Sequence, residues 1–351
     1  MPRGLRASST TVYPSVQART FGAVGLSSQR DHHVRSCLLV SPCRATRPLN
    51  DSDDDPPSRF ASGVLLAVLG TFLFALKSIF IKLAFAAGAE PTMLLVIRLA
   101  FALPVYVGVL WQVHRDPSTR PIGRSLMMRA IALGFLGYYL ASYLDLSGLQ
   151  YITAQLERLT LFVYPAIVAI LAWLFLGESL HRRIILSIVL CYCGVAMMYG
   201  QERLVADRTQ VTWGVVLVSG SAISYAIYIL LAKPTMSMMG SRRFTSLAMI
   251  GSTAFIGLHF LATREVSQLI SASPVVYAYG FVLAIVCTLI PSFMINEAIM
   301  RIGATRTAVI GSVGPVLTML LAIGVLGEPS SPWHFVGMGI AIVGVGLVTR
   351  K

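Results

Sequence analysis

The sequence predicts an all-α integral membrane protein whose ten transmembrane helices form two five-helix repeats. Its residues are 56% hydrophobic and 12% charged, and the mean hydropathy is +0.74, a balance that requires lipid as the solvent. Apolar runs of about 20 residues recur, the length that a helix needs to cross a hydrocarbon core of about 30 Å. The chain also resembles itself at an offset of about 150 residues. Runs of this length satisfy their backbone groups in lipid only as helices, whereas a membrane barrel has short alternating strands.

The ten predicted spans are separated by short loops. They lie near residues 61–82, 92–112, 126–148, 153–176, 183–200, 212–232, 245–262, 275–297, 304–326 and 333–349. Every second loop is rich in basic residues, namely Arg115, Arg120, Arg124, Arg182, Arg183, Lys233, Arg242, Arg243, Arg301 and Arg306. The opposite loops hold Lys82, Arg203, Arg208 and Arg264. Because basic loops stay in the cytoplasm, both termini are expected there.

Residues 1–60 differ from the rest of the chain and are predicted to form a disordered tail, because Arg, Ser and Pro replace the apolar pattern. The first fifty residues hold seven arginines and one acid, Asp31, which resembles an organelle transit peptide. A plain cytoplasmic tail and a misassigned start codon are the alternatives. The expected location is a multi-pass position in a bacterial inner membrane, with an organelle membrane as the alternative.

The net charge of +13 does not predict a nucleic-acid partner, because the 28 basic residues are spread over the tail and loops and form no continuous basic and aromatic face. Cys37 and Cys43 lie in the tail, and Cys191, Cys193 and Cys287 lie inside spans. This spacing predicts neither a disulfide framework nor a metal site. No cofactor is expected.

The internal repeat joins residues 61–200 to residues 211–349. Pro165, Leu171, Ala172, Leu176, Gly177, Glu178, Gly194 and Val195 match Pro315, Leu321, Ala322, Leu326, Gly327, Glu328, Gly344 and Val345. A proline within a span and a Gly-Glu pair at equal spacing are more informative than the apolar matches. Since each repeat has an odd number of spans, the second should cross the membrane inverted. Inverted repeats are typical of secondary transporters, which bind substrate between the halves and alternate access.

The segment LTLFVYPAIVAILAWLFLGESL and its partner TAVIGSVGPVLTMLLAIGVLGEPS resemble the ends of the two EamA repeats of the drug/metabolite transporter superfamily. The resemblance covers residues 61–349. It implies a ten-helix EamA-type fold and secondary active transport, often export of amino acids or other metabolites and commonly coupled to H+. It does not imply a particular substrate.

Charged residues inside spans are the first candidates for substrate binding or coupling, because a charge in the bilayer is costly. Lys77 lies deep in the first span, where it either binds a substrate anion or forms a structural ion pair with a neighbouring helix. Arg98 can grip a carboxylate through two hydrogen bonds, or pair permanently with Asp145 or Glu157.

Further candidates lie in the third, fourth and eighth spans. Glu157 and Tyr164 share one helical face, and Glu157 is either a proton carrier or a structural acid paired with Arg158 or Arg98. Tyr143, with Tyr138 and Tyr139, either stacks on a substrate or packs in the core. Glu297 either couples to protons or lies at the interface.

The remaining candidates concern helix geometry. Pro165 and Pro315 each remove a backbone hydrogen bond and are predicted to kink their helices, either as hinges or as architecture. Glu178 and Glu328 are expected to sit near the N-terminus of the following helix. His259 is predicted to be a satisfied packing residue.

The sequence therefore predicts an exporter of a small metabolite, such as an amino acid or organic anion, that works by alternating access in the lipid bilayer. No Walker motif is present, so an ion gradient, expected to be H+, should drive it. A membrane enzyme is disfavoured because no His-Glu-x-x-His motif, aspartate pair or serine-histidine set occurs in the spans. A sensor with a transporter fold is the other alternative, and a homodimer is a possible assembly.

Overall fold

The computed structural model describes residues 57–116, 121–177 and 181–349, and this part of the chain is helical, with no strand. The helices are α1 (Pro57–Ala86), α2 (Pro91–Arg115), α3 (Arg124–Gly134), α4 (Ala141–Leu149), α5 (Ala154–Leu161), α6 (Tyr164–Leu176), α7 (Arg182–Val205), α8 (Arg208–Met239), α9 (Ser241–Thr263), α10 (Val266–Ile270), α11 (Pro274–Ala284), α12 (Ile290–Ile302), α13 (Ala304–Gly311), α14 (Gly314–Leu326) and α15 (Pro332–Thr349). The predicted tail lies outside the described residues up to position 56.

Nine helical segments of the described chain are long and apolar enough to cross a membrane, and a shorter apolar helix, Pro332–Leu347, follows them. This confirms the predicted multi-pass helical fold. Some spans are longer than predicted: α8 has 32 residues, and the eighth span continues to Ile302. We call the membrane side on which α1 begins the N side. Alternate crossings place loops 150–153 and 327–331 together on the opposite side.

The fourth and ninth spans are broken, where the sequence predicted only kinks. Helix α5 ends at Leu161 and α6 begins at Tyr164, so Pro165 occupies the first turn of a new helix. Proline fits there because it lacks the N–H that would bond to the carbonyl four residues earlier. Helix α13 ends and α14 begins around Pro315 in the same way. Both prolines therefore separate two half-length helices.

The third and eighth spans each contain a π-helical segment, which the sequence analysis did not predict. The first, Phe135–Leu140, joins α3 to α4, and the second, Ile285–Leu289, joins α11 to α12. Their starting residues differ by 150 positions (285 − 135), which is the repeat offset at the prolines. Segments of this kind are frequent at functional sites.

Helices of the two repeats pack directly on one another. Helix α1 contacts α12 and α14, α2 contacts α9, and α4 contacts α8. The last helices of the repeats, α7 and α15, approach through glycine: a Cβ on Gly194 would lie 2.4 Å from the carbonyl oxygen of Gly337. Small residues permit this approach between membrane helices. The charged residues of α1, α4 and α5 therefore lie where the repeats meet.

Candidate functional site

An ion pair between α1 and α4 lies at the centre of the candidate site. The Nζ of Lys77 is 2.6 Å from Oδ2 of Asp145, and the two side chains are 16% and 3% exposed. The sequence left open whether Lys77 binds a ligand or pairs with a neighbouring helix. The structure provides the neighbouring partner, and both residues also line a cavity.

A second set of polar contacts connects α5 to α1 through a serine. Ser78 is fully buried and its Oγ donates to Oε2 of Glu157 over 2.7 Å. The Nη2 of Arg158 donates to the same Oγ over 2.8 Å and to the carbonyl of Phe74 over 3.2 Å. Glu157 and Arg158, neighbours in sequence, are therefore bridged by a hydroxyl.

The two acids, Asp145 and Glu157, act on each other electrostatically where these two sets of contacts meet. Within the described chain, Oδ1 of Asp145 and Oε1 of Glu157 are buried and have no hydrogen-bond partner. Buried polar atoms are normally satisfied, and such exceptions often mark a function. A proton bound by one carboxyl would give it a donor for the other.

Arg98 contributes a third cation. Its Nη2 donates to Oγ1 of Thr288 over 3.1 Å. The expected pair with Asp145 or Glu157 does not form, because Arg98 makes its contact to the second repeat instead. Its Nε and Nη1 are buried and have no partner among the described residues.

A cavity of about 270 Å³ joins these groups. It is lined by Phe74, Lys77, Arg98, Gly137, Tyr138, Ala141, Ser142, Asp145, Arg158, Leu161, Phe162, Tyr164, Ser221 and Tyr225. We call it the charged cavity. Its walls combine three cations and an acid with tyrosine and phenylalanine rings, so it can hold a molecule that has charged and apolar parts.

A second cavity of about 650 Å³ lies between the two helix breaks and is mostly apolar. Its lining includes Phe162, Tyr164, Pro165, Gly311, Ser312, Gly314 and Pro315 from the breaks, together with Ile342, Val345 and Gly346 of α15. We call it the wide cavity. It shares Phe74, Arg158, Phe162, Tyr164 and Tyr225 with the charged cavity. These shared residues form the boundary between the two cavities.

The structure brings four of the predicted residues to the cavities: Lys77, Arg98, Tyr164 and, behind Ser78, Glu157. The ring of Tyr164 packs edge-on against Tyr225, with centroids 5.2 Å apart. Pro165 and Pro315 line the wide cavity beside the breaks that they produce.

Two predicted residues lie apart from the cavities. Tyr143 packs against the ring of His259 at 4.8 Å, and the hydroxyl of Tyr139 is 2.9 Å from Nδ1 of the same histidine. Glu297 is 51% exposed and forms an ion pair with Arg301, one helical turn away, over 2.8 Å. His259 is thus a satisfied packing residue, as predicted.

Sequence reasoning named Asp145 and Arg158 only as partners for other residues, and it missed Ser78, Thr288 and Tyr225. Asp145 had a usable signal, because a single acid in an apolar run must be compensated. Ser78 and Thr288 had none, since hydroxyl side chains in membrane helices commonly bond to their own backbone.

Glu328 differs from the prediction, because its carboxylate contacts the start of α5 and not that of α15, the following helix. Its Oε1 accepts from the backbone N–H of Ala154 over 2.7 Å, and its Oε2 from that of Gln155 over 3.4 Å. The left-handed turn at Gly327 (φ 66°) redirects the chain after α14. Burial raises the pKa of Glu328, although these N–H groups and Lys82 oppose the shift. Its repeat partner, Glu178, lies outside the described residues.

Two repeats that meet around buried charges, with the fourth span of each repeat broken, define the class of multi-pass membrane transporters. Comparison with known families agrees. Residues 61–200 and 212–350 each match the EamA-like transporter family, and the chain belongs to that family.

Individual relatives support the same assignment. "Uncharacterized transporter YcbK" of Bacillus subtilis is 29% identical over 300 residues, which are 83% of this chain and 94% of the relative. "Uncharacterized transporter sll1319" of Synechocystis sp. is 24% identical over 315 residues, 82% of this chain and 91% of the relative. A solved structure titled "Crystal structure of protein" matches with a TM-score of 0.55 and 13% identity, covering 82% of this chain and 97% of its own. The last match concerns the fold alone.

Proposed function

We propose that this chain exports a small zwitterionic metabolite, such as an amino acid, in exchange for protons, by alternating access between two inverted repeats. The observation that carries the proposal is the buried set of charges at the charged cavity: Lys77, Arg98, Asp145, Glu157 and Arg158. An organic anion is the alternative substrate, and the two are separated by their response to pH.

The anionic end of the substrate would bind Arg98. Two of its nitrogens lack partners in the described chain, and the third donates only to a neutral hydroxyl, that of Thr288. A guanidinium in this state can give two parallel hydrogen bonds to a carboxylate. The hydrogen bond to Thr288 would hold the guanidinium in place.

The proton and the cationic end of the substrate would compete for Asp145 and Glu157. These carboxyls interact with each other and each has a buried oxygen without a described partner. Either a proton or a substrate ammonium group can supply the missing donor, and one donor excludes the other by charge and space. Competition of this kind makes transport an exchange, in which protons moving inward drive the substrate outward.

The size of the charged cavity supports a small substrate. Pockets for drug-sized ligands are about 300–1,000 Å³, and this cavity, at about 270 Å³, is smaller. The rings of Tyr164 and Tyr225 give an apolar side chain a surface to pack on.

The wide cavity supports a path toward the N side. Its lining includes the start of the ninth span and the last turns of α15, which lie on that side by alternate crossing. On the opposite side, Glu328 joins the second repeat to the start of α5. We therefore assign the structure to a state that faces the N side, which the basic loops predict to be the cytoplasm.

Counterflow in proteoliposomes tests this function. Liposomes loaded with an amino acid mixture, or with organic anions, should take up labelled substrate of the same class, and a pH gradient should drive net movement. Arg98→Ala should lose exchange, whereas Arg264→Ala, which removes an exposed cation paired with Glu90, should retain it. No exchange of any amino acid or organic anion would favour the sensor alternative.

A further inference from the structure

The start of α5 is held by two acids that come from other parts of the fold. Its first free N–H groups would otherwise lack acceptors, as at any helix N-terminus. Oε1 of Glu202, in α7, accepts from the N–H of Thr153 over 2.6 Å. Glu328, in the loop between α14 and α15, accepts from the N–H groups of Ala154 and Gln155. Three consecutive backbone donors are thus satisfied by carboxylates.

These contacts differ in what they connect. Glu202 and α5 belong to the first repeat, so their bond is internal to it. Glu328 belongs to the second repeat, and its bonds to Ala154 and Gln155 cross the interface on the side opposite the N side. The amide Nε2 of Gln155 adds a contact to the carbonyl of Pro329 over 3.5 Å. In the assigned state, which faces the N side, these contacts close the opposite side.

Helix α5 is also the element that carries the chemistry of the site. It has eight residues, begins at the Glu328 contact and ends at the break before Pro165. Glu157 and Arg158 are its fourth and fifth residues, and Arg158 lines both cavities. A helix this short moves as one rigid piece, so a shift at its start is transmitted to these two side chains.

The charges around Glu328 are consistent with a contact that can be released. Lys82 of α1 and Glu202 of α7 act on it electrostatically. Oε2 of Glu202 is buried with no partner in the described chain. Glu202 and Glu328 therefore both interact with Lys82 and with the N-terminus of α5. The partial positive charge of that N-terminus favours both carboxylates.

We propose that Glu328 is a positioning residue that clasps α5 to the second repeat, and that its release accompanies opening of the side opposite the N side. The clasp would hold Glu157 and Arg158 in the geometry seen here. This role of Glu328 rests on the proposed alternating access. It assigns the contact that closes one side to a single carboxylate.

Thiol accessibility tests the clasp without requiring transport. Ser142 lines the charged cavity, so Ser142→Cys reports access to it. A membrane-impermeant thiol reagent is applied to vesicles from each side, and the parent protein with its five native cysteines gives the background. Adding Glu328→Gln should raise labelling from the opposite side about tenfold, as expected for losing a charged hydrogen bond.

Glu265→Gln is the matched control, because this exposed acid is on the same side and its side chain bonds only to Ser267 among the described residues. It should leave labelling unchanged. Equal labelling of the Glu328→Gln and Glu265→Gln proteins would overturn the clasp. Absence of counterflow with increased labelling would instead refute the proposed function and leave the clasp standing.

A cross-link gives a second test that does not depend on the Gln variant. Cysteines at positions 154 and 328, made by Ala154→Cys and Glu328→Cys, are joined by a short bifunctional thiol reagent that a reductant cleaves. Joining should abolish labelling of the cavity from the opposite side, and reduction should restore it. Labelling that persists in the joined protein would contradict the proposal.

Discussion

The two repeats share their architecture but not the charges of the candidate site. Both have a π-helical segment in the third span and a break before a proline in the fourth. At the repeat offsets of 151 and 150, the five charged residues of the candidate site correspond to uncharged residues in the second repeat. Lys77, Arg98, Asp145, Glu157 and Arg158 correspond to Tyr228, Met249, Ile295, Thr307 and Ala308. The features shared by the repeats are those of the backbone, while the charges to which we assign substrate and proton binding lie in one half.

In the second repeat, uncharged hydroxyl side chains occupy the positions that correspond to Glu157 and Lys77. The hydroxyl of Thr307 donates to its own backbone at Gly303 over 2.9 Å. The hydroxyl of Tyr228 lies 2.9 Å from that of Tyr138. The first hydroxyl has its partner one helical turn away and the second has its partner in the first repeat, and neither residue needs a counter-ion. The second repeat still contributes to the site, through Thr288 and Tyr225.

The largest effect should come from comparing Glu157 with its counterpart Thr307. Glu157→Gln removes the acid that we propose to exchange a proton for substrate, so pH-driven counterflow should fall by at least about 100-fold, within the range for losing a general acid-base group. Thr307→Ala should keep more than half of the activity, because that hydroxyl donates to the carbonyl of Gly303 and the residue brings no charge to the wide cavity that it lines. Similar losses of counterflow in the two variants would contradict the proposed functional difference between the repeats.

Arg98 should affect substrate affinity, because we propose that it donates directly to the substrate carboxylate. Arg98→Lys keeps the charge but loses the two-pronged geometry, so affinity should fall about tenfold or more, at a cost of about 1.5–3 kcal/mol for a charged hydrogen bond. Isothermal titration in detergent measures this loss. Met249→Leu, at the counterpart position, should leave affinity unchanged, and a loss there would contradict the assignment.

The ion pair of Lys77 and Asp145 should affect the stability of the protein as well as its transport activity. Removing one partner of a buried pair costs about 3–5 kcal/mol, whereas removing both is often close to neutral. Lys77→Ala should therefore lower the unfolding temperature, and Lys77→Ala with Asp145→Asn should restore most of it without restoring transport. Recovery of transport in the double variant would assign the pair to structure alone.

The smallest effect should come from the exposed pair of Glu297 and Arg301. Such pairs contribute about 0–1 kcal/mol, and Glu297 lies apart from both cavities. Glu297→Gln should leave counterflow and its pH dependence within a factor of two of the parent. A loss of pH dependence in this variant would indicate that the proton site lies outside the first repeat.

Much of this organisation could be predicted from the sequence. The spans follow from hydropathy, and the two prolines mark where the fourth and ninth spans are interrupted, although the sequence predicted kinks there and not breaks. The π-helical segments could not be predicted, since their residues are as apolar as those of any span. The clasp could not either, because Glu328 meets α5 across 174 positions of sequence, a contact that only the packed fold defines.

The pH dependence of substrate binding tests the central claim most directly. Affinity for an amino acid is measured between pH 5 and pH 8 in the parent and in Glu157→Gln. If substrate and proton compete for the acid pair, affinity in the parent should rise with pH, and in Glu157→Gln this dependence should be lost. Affinity that falls as the pH rises, or that keeps the same dependence in both proteins, would contradict proton exchange at this site.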